Sequence, residues 1–309
     1  MVRIRRLQSR GSLHAWRKLR AAGRWLADHS AAGLDLARRV VRRSATDRIT
    51  TNAASLAFHW FLAIFPGALA LVGISHLLGL SAHDVQGLVH GVGVLLPAAA
   101  SSVLVDALRS PSTARESILE VGFGALVALW ASIEAMAALQ VGLDVAFGVR
   151  RDRGLVSRRL AAMPLLAITV CIGGGAFALV VLGVPLGHLI EADLPFGRAA
   201  FTPAWDAVRF AGALILVSLL VAAYYRYGPW QERRTQRLVT PGSIAATIGW
   251  FAASGAYSYY LDDIGHASRT YGTFAGVAVL LLWLFVTGLM VLIGAEVDRE
   301  LLRSRLDAS

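Results

Sequence analysis

An ionisable side chain stands out when its surroundings offer it no water, and Glu134 is such a residue. It lies near the middle of an apolar run, residues 121–149, whose other acid, Asp144, is close to the far end. An acid at the centre of a membrane span costs about 2.5–3.5 kcal/mol, priced like Asp on insertion scales. Glu134 must therefore face protein or water. Two readings are open: a proton or cation relay or a polar contact for a substrate headgroup, against a structural glutamate hydrogen-bonded to a neighbouring helix. Gln140 and Asp144 share an i, i+4 face, and Asp144 approaches Arg150 and Arg151, as a solvated or salt-bridged helix end would. His59, seven residues before Pro66, reads as a polar contact between helices rather than a base. Glu296 closes the last apolar run in Gly294-Ala295-Glu296. Its expected partner is a cytoplasmic-loop arginine such as Arg153 or Arg226, which would latch two helix ends together.

Other chemistries lack their residues. His76, His83 and His90 are spaced by seven, but Gly79-Leu80-Ser81 interrupts any common helix. There is no HExxH run, and Cys171 is the only cysteine, so neither a disulfide nor a thiolate metal site can form within one chain. No metal and no cofactor are expected, and the ligand set of a metal-dependent nuclease is missing. Gly173-Gly174-Gly175 sits inside an apolar run with no Lys-Ser/Thr after it, so it reads as a close helix approach and not a phosphate loop.

The elements that must hold these residues follow from composition. Hydrophobic residues make up 56% and charged residues 16%, with mean hydropathy +0.58. Soluble domains carry about 25% charged residues, so an ordinary soluble enzyme, a disordered chain and a disulfide scaffold are excluded. A bilayer core about 30 Å thick takes roughly 20 apolar residues as a helix. Six runs qualify: 53–80, 121–149, 160–190, 205–227, 238–261 and 270–296. They lack period-2 alternation, and within lipid only helices or closed barrels satisfy their own backbone, so the predicted fold is all-α and integral to a membrane. Pro66 is expected to kink the first span, because it removes an amide donor.

Arginine placement orders the crossings. Arg150, Arg151, Arg153, Arg158 and Arg159 crowd one connection, and Arg226, Arg233, Arg234 and Arg237 crowd another, while the alternate connections are poor in basic residues. That alternation follows the positive-inside rule and puts both termini in the cytoplasm. A seventh run, 85–108, contains Gly87, Gly91, Gly93 and Pro97. A crossing there would send the five-arginine connection outside, so it is predicted to be an interfacial or re-entrant helical segment on the outer face.

The net charge of +10 resides in residues 1–48, which hold thirteen basic and three acidic residues; the remainder balances at seventeen of each. This cytoplasmic arm has no uninterrupted apolar stretch before a small-residue cleavage site, so it is expected to stay on the mature protein. Trp16, Leu19, Gly23 and Leu26 would make one stripe of an amphipathic helix beside Arg17, Arg20 and Arg24. The expected partners are the lipid bilayer and the anionic lipids of its inner leaflet. Nucleic acid is not expected, because orientation already explains the arginines. The membrane domain is predicted to span 49–300, with a cytoplasmic tail at 301–309. Boundary aromatics, Tyr257, Tyr259 and Tyr260 among them, read as an interfacial belt or as a portal for an amphiphilic ligand.

Two stretches carry more than hydrophobicity. One is Ala54-Ser55-Leu56-Ala57-Phe58-His59-Trp60-Phe61-Leu62-Ala63-Ile64-Phe65-Pro66. The other is Tyr271-Gly272-Thr273-Phe274-Ala275-Gly276, running on through Trp283 to Gly294-Ala295-Glu296. With Tyr225-Arg226-Tyr227-Gly228-Pro229 and Pro241-Gly242, they resemble the YihY/virulence factor BrkB family of inner-membrane proteins over about residues 40–300. The first stretch departs from the family pattern, with Phe58-His59 for a tyrosine pair and Ala63 for a serine. The resemblance implies six membrane helices, cytoplasmic termini and a link to envelope lipid or lipopolysaccharide handling; a ribonuclease label once given to the family is regarded as mistaken. The expectation is a non-enzymatic transporter or flippase for a lipid-like substrate, with Glu134, His59, Tyr257, Tyr259 and Tyr260 along its path. The competing expectations are a membrane scaffold for envelope assembly and, last, a ribonuclease.

Overall fold

The computed structural model describes residues 33–77, 114–149, 154–181, 198–230, 238–264 and 272–307, with Gly183, Leu186, Gly187 and Ile190. Helix α1 covers residues 33–46, and α2 covers Ile49–Leu77. Then come α3 (Ala114–Phe147), α4 (Leu155–Ile168), α5 (Gly174–Val181), α6 (Arg198–Tyr227), α7 (Pro241–Ile264) and α8 (Gly272–Leu306). A π-helical stretch, Thr169–Gly173, carries α4 into α5. No strand occurs among the described residues. The amphipathic stripe 16–26 and the segment 85–108 lie outside them.

Among the described residues, four helical stretches are long and apolar enough to cross a membrane: Gly122–Phe147, Leu155–Val180, Phe201–Tyr227 and Val277–Leu306. Their outer faces carry Phe123, Trp130, Leu160, Val170 and Ile215 as exposed side chains. A soluble protein rarely leaves a contiguous apolar patch larger than a few hundred Å²; in a bilayer such a surface is simply the lipid-facing one. Several helices outrun the apolar runs that announce them. α3 begins at Ala114 rather than near 121, and α8 continues to Leu306 rather than stopping near 296. A helix does not end where hydrophobicity ends, because charged residues with good helix propensity extend it beyond the bilayer core.

Helix α2 packs along α3 and α8, α7 along α8, α4 along α3, and α5 along α6. The side chains of Ile49, Leu56, Leu139, Leu143, Leu165 and Leu292 are fully buried where α2, α3, α4 and α8 meet. Polar clips fix the remaining helices. The Tyr225 hydroxyl of α6 donates to the Val291 carbonyl of α8 at 2.5 Å. From α7, the Trp250 indole donates to Thr287 Oγ1 at 3.0 Å and the Tyr257 hydroxyl to the Val279 carbonyl at 2.6 Å. Thr169 in the π-helical stretch meets the Tyr224 hydroxyl at 2.9 Å and so joins it to α6.

Local sequence sets the helix ends. Thr240 caps α7: its hydroxyl accepts the Ser243 amide at 3.1 Å, and Ser243 Oγ accepts the Thr240 amide at 3.0 Å. Pro241 takes the first helical position, where its missing N–H costs nothing. α3 ends at Gly148, with φ +71°; the Gly148 amide returns to Val145 at 2.9 Å and the Val149 amide to Asp144 at 2.8 Å. That pairing is a Schellman motif, which favours glycine because an L side chain is strained at this φ.

α7 and α8 touch through Gly242 and Gly294. A Cβ added at Gly294 would meet the Tyr225 hydroxyl, the Gly242 carbonyl and, at 2.6 Å, the Cβ of Ala246. Gly294→Val is therefore expected to overpack this crossing, at about 1–3 kcal/mol, and to lower the thermal unfolding midpoint in detergent. Gly255→Ala, where nothing lies within 4 Å, should leave the midpoint unchanged or raise it slightly.

Candidate functional site

Two polar assemblies lie among these apolar helices. The first gathers at one end of the bundle, where α1 meets α2, α3 ends and α8 leaves its apolar run. Glu296 has no exposed surface. Arg43 Nε of α1 is 3.5 Å from its carboxylate, and Arg299 NH1 is 3.9 Å away on the following turn. Arg43 also bonds Glu300 at 3.1 Å and lies 3.4 Å from Asp47. Arg299 donates to Asp47 Oδ2 at 2.9 Å and to the carbonyls of Ala146 and Val145 at 3.1 and 3.3 Å. One guanidinium thus satisfies an acid after α1 and the orphan carbonyls at the end of α3. A Cβ on Gly148 would fall on that guanidinium, so both backbone and space call for glycine there.

The same end holds two further carboxylates. Asp298 accepts the Thr240 hydroxyl and, at 2.6 Å, the Gly242 amide, and so docks on the N-terminus of α7. Asp144 accepts the Trp230 amide at 2.7 Å and fixes the chain leaving α6. Arg226, at the end of α6, stacks over Tyr227 with 5.8 Å to the ring centroid. Arg153 lies outside the described residues. Among the described residues, the cations that face Glu296 are Arg43 and Arg299.

The second assembly is a cleft of about 190 Å³ between α2, α3 and α4. α2 contributes Asn52, Ser55 and His59, α3 contributes Glu134, Ala137, Ala138 and Val141, and α4 contributes Leu155, Arg158 and Arg159. The geometry is helical arithmetic: 52, 55 and 59 are i, i+3 and i+7, and 134, 137, 138 and 141 are i, i+3, i+4 and i+7, so each set makes one stripe. Two alanines beside Glu134 leave the room. Arg159 Nε donates to Glu134 Oε1 at 2.5 Å, and their side chains are 48% and 25% exposed. His59 Nδ1 lies 2.8 Å from the Ser55 carbonyl. Since a carbonyl only accepts, Nδ1 carries the proton and Nε2 is left for the cleft.

Glu134 and His59 therefore share one site. Tyr257 and Tyr259 do not line it: Tyr257 is committed to α8, and Tyr259 is exposed. The side chain of Tyr260, and Tyr271, fall outside the described residues. Pro66 lies inside α2, Gly272 opens α8, and Trp283 packs against the cluster of Ala57, Leu280 and Leu284. No group of three metal-ligating side chains occurs among the described residues. Sequence reasoning missed Asn52 and Ser55, although their spacing to His59 marks a polar stripe on an apolar helix. It counted Arg158 and Arg159 only as loop charge, because the start of α4 at Leu155 lies ahead of the apolar run.

The family model described as virulence factor BrkB matches residues 40–309. The chain belongs to this family. Among curated relatives, a ribonuclease-like protein, YfkH, of Bacillus subtilis is 28% identical over 248 residues, 80% of this chain and 88% of that protein. A UPF0761 membrane protein of Nitrosospira multiformis is 25% identical over 67% of this chain and 46% of its own length. Another, of Paraburkholderia xenovorans, is 24% identical over 86% and 59%. The chain thus spans about half the length of these two UPF0761 relatives. No solved structure matches it. The chain is accordingly a membrane protein of the BrkB family.

The two assemblies differ in burial, and this yields a test. Arg299→Ala removes one of the two guanidiniums facing the buried Glu296 and the donor at the end of α3, with Arg43 left in place, so its cost is expected to approach but not exceed the about 3–5 kcal/mol of a fully stripped buried pair. Arg159→Ala removes a half-exposed partner, expected to cost about 1 kcal/mol or less. Thermal unfolding in detergent should rank them in that order.

Proposed function

We propose that the chain crosses the cytoplasmic membrane six times, with the arm 1–48 and the tail 301–309 in the cytoplasm, and moves or flips an amphiphilic envelope substrate, a lipid or glycolipid, without covalent chemistry. The observation that carries this is the cleft: three mainly apolar helices bring Asn52, Ser55, His59, Glu134, Arg158 and Arg159 to one face. Glu134 is 13 residues from the end of α3, so the polar lining reaches roughly 20 Å into the bundle at 1.5 Å per residue. About 190 Å³ is room for a headgroup and not for a whole lipid. The headgroup enters the cleft while the acyl chains stay in the bilayer. A scaffold would have no use for such a lining.

Topology is tested by labelling single cysteines in a Cys171→Ser background. Arg153→Cys and Arg234→Cys are expected to react only from the cytoplasmic side of intact cells, and His266→Cys only from outside. Labelling of Arg153→Cys and Arg234→Cys from opposite sides overturns the six-crossing scheme.

Transport is tested in liposomes carrying fluorescent lipid. The wild-type protein is expected to speed exchange between leaflets, and Glu134→Gln to slow it severalfold. Equal leaflet distributions with wild type, variant and empty liposomes would end the transport reading.

A further inference from the structure

The cleft also indicates what it would hold. Its lining has two guanidinium groups, Arg158 and Arg159, and one carboxylate, Glu134. Both arginines lie in the opening turns of α4, whose N-terminal residue Gly154 provides no side-chain cap. The positive end of that helix therefore opens beside the same cleft. Asn52 and Ser55 line it from α2, but the Asn52 amide already donates to the Asp47 and Arg48 carbonyls at 3.4 and 3.3 Å and the Nδ1–H of His59 to the Ser55 carbonyl, so the donors left for an anion are the two guanidiniums. A guanidinium is a planar fork that matches phosphate oxygens in pairs. Its present partner, Glu134, is an oxyanion of the same hydrogen-bonding type, and the pair lies open to the cleft with Arg159 about half exposed.

We infer that this cleft binds a phosphate oxyanion, the phosphate of a lipid headgroup or a free phosphate, and that Glu134 occupies the Arg159 guanidinium until the phosphate displaces it. This deepens the transport reading above and rests on it for the lipid source. Binding is an exchange of partners. The incoming phosphate takes the Arg159 N–H groups, with Arg158 beside them, and the Glu134 carboxylate, already partly exposed, is released to the open side of the cleft. Exit reverses the exchange, so the carboxylate keeps the site from holding its anion too tightly. No bond is made or broken except hydrogen bonds. Contrast the buried acid Glu296, which faces Arg43 and Arg299 with no exposed surface: that site is closed to an outside anion, whereas the cleft is open to one.

The test uses the full chain purified in an uncharged detergent and titrated with inorganic phosphate or with dihexanoyl phosphatidylglycerol. Arg159→Gln is expected to weaken binding by about tenfold or more, the fold-change of one lost charge-assisted hydrogen bond. Arg159→Lys should recover part of it. Glu134→Gln is expected to tighten binding severalfold, a gain that a poorly folded variant cannot imitate. Binding of the lipid but not of inorganic phosphate assigns the site to headgroups, and comparable binding of both assigns it to phosphate at large. The inference is overturned if neither probe binds, if binding ignores Arg159→Gln, or if Glu134→Gln fails to tighten it. Its failure is separable from that of transport. Phosphate binding in this pattern without lipid movement in liposomes removes transport and keeps the site. Glu134-dependent lipid movement with phosphate binding indifferent to Arg159 removes the phosphate assignment and keeps transport.

Discussion

A carboxylate with no exposed surface constrains everything around it, and Glu296 is that carboxylate. Taking an ion out of water costs several kcal/mol even after relaxation, recovered only when opposite charge and hydrogen-bond donors surround it. Here the charge comes from two places in the chain, Arg43 on α1 and Arg299 on α8. Arg299 is in turn held by Asp47 and by the last carbonyls of α3. Slide any of these helices by a turn and a buried charge loses its partner. These pairings favour one register of α1, α3 and α8, together with the fully buried Leu139, Leu143 and Leu292. Gly148 and Gly294 follow from the same constraint: one leaves space for the guanidinium, and the other lets α7 and α8 close near Asp298.

α3 serves both polar assemblies with different faces. Its Met136, Leu139 and Leu143 enter the core shared with α4 and α6, and its C-terminal carbonyls meet Arg299. The stripe of Glu134, Ala137, Ala138 and Val141 faces the cleft. Anchoring one end of a helix this firmly leaves little freedom along its length, so Glu134 is presented on a rigid element. Its partner Arg159 lies in the opening turns of α4, on a long and half-exposed side chain. Both side chains reach the open cleft, the arginine on the longer stem. The fixed pairs and the exchangeable pair thus differ in burial and not in chemical type.

The membrane class was legible because it depends on composition and run length, which are sums over many residues. The acids at helix ends were legible as such, Glu296 as half of an ion pair and Asp144 as a solvated or salt-bridged end. Their partners were not, because Arg43 lies more than 250 residues from Glu296 and reads in isolation as one more arginine of a basic arm. Glu134 and His59 were each visible as polar groups in apolar runs, and the fold brings them together. The cleft they share depends on Asn52 and Ser55, which hydropathy passes over because each is small and only mildly polar. The role of the tyrosines at 257–260 was not legible in the sequence. Aromatics at a membrane boundary suit a belt, a portal or a clip equally well, and only the Val279 carbonyl opposite Tyr257 distinguishes them.

The rim of the cleft bears on what could use it. Leu155 belongs to its lining and is largely exposed. A site for a bare cation would look different. It would close around the ion with several oxygen ligands and have no need of apolar edges, whereas this lining offers one carboxylate against two guanidiniums. A polar floor beside an exposed apolar rim fits a molecule with both kinds of surface. Under the proposed function the phosphate sits against α4 while its chains lie along Leu155, in contact with the lipid they came from. The energetic logic is then plain: moving only the headgroup through a polar groove leaves the apolar burial of the chains, about 0.8 kcal/mol per CH₂, undisturbed, so the protein has only the headgroup's desolvation to offset.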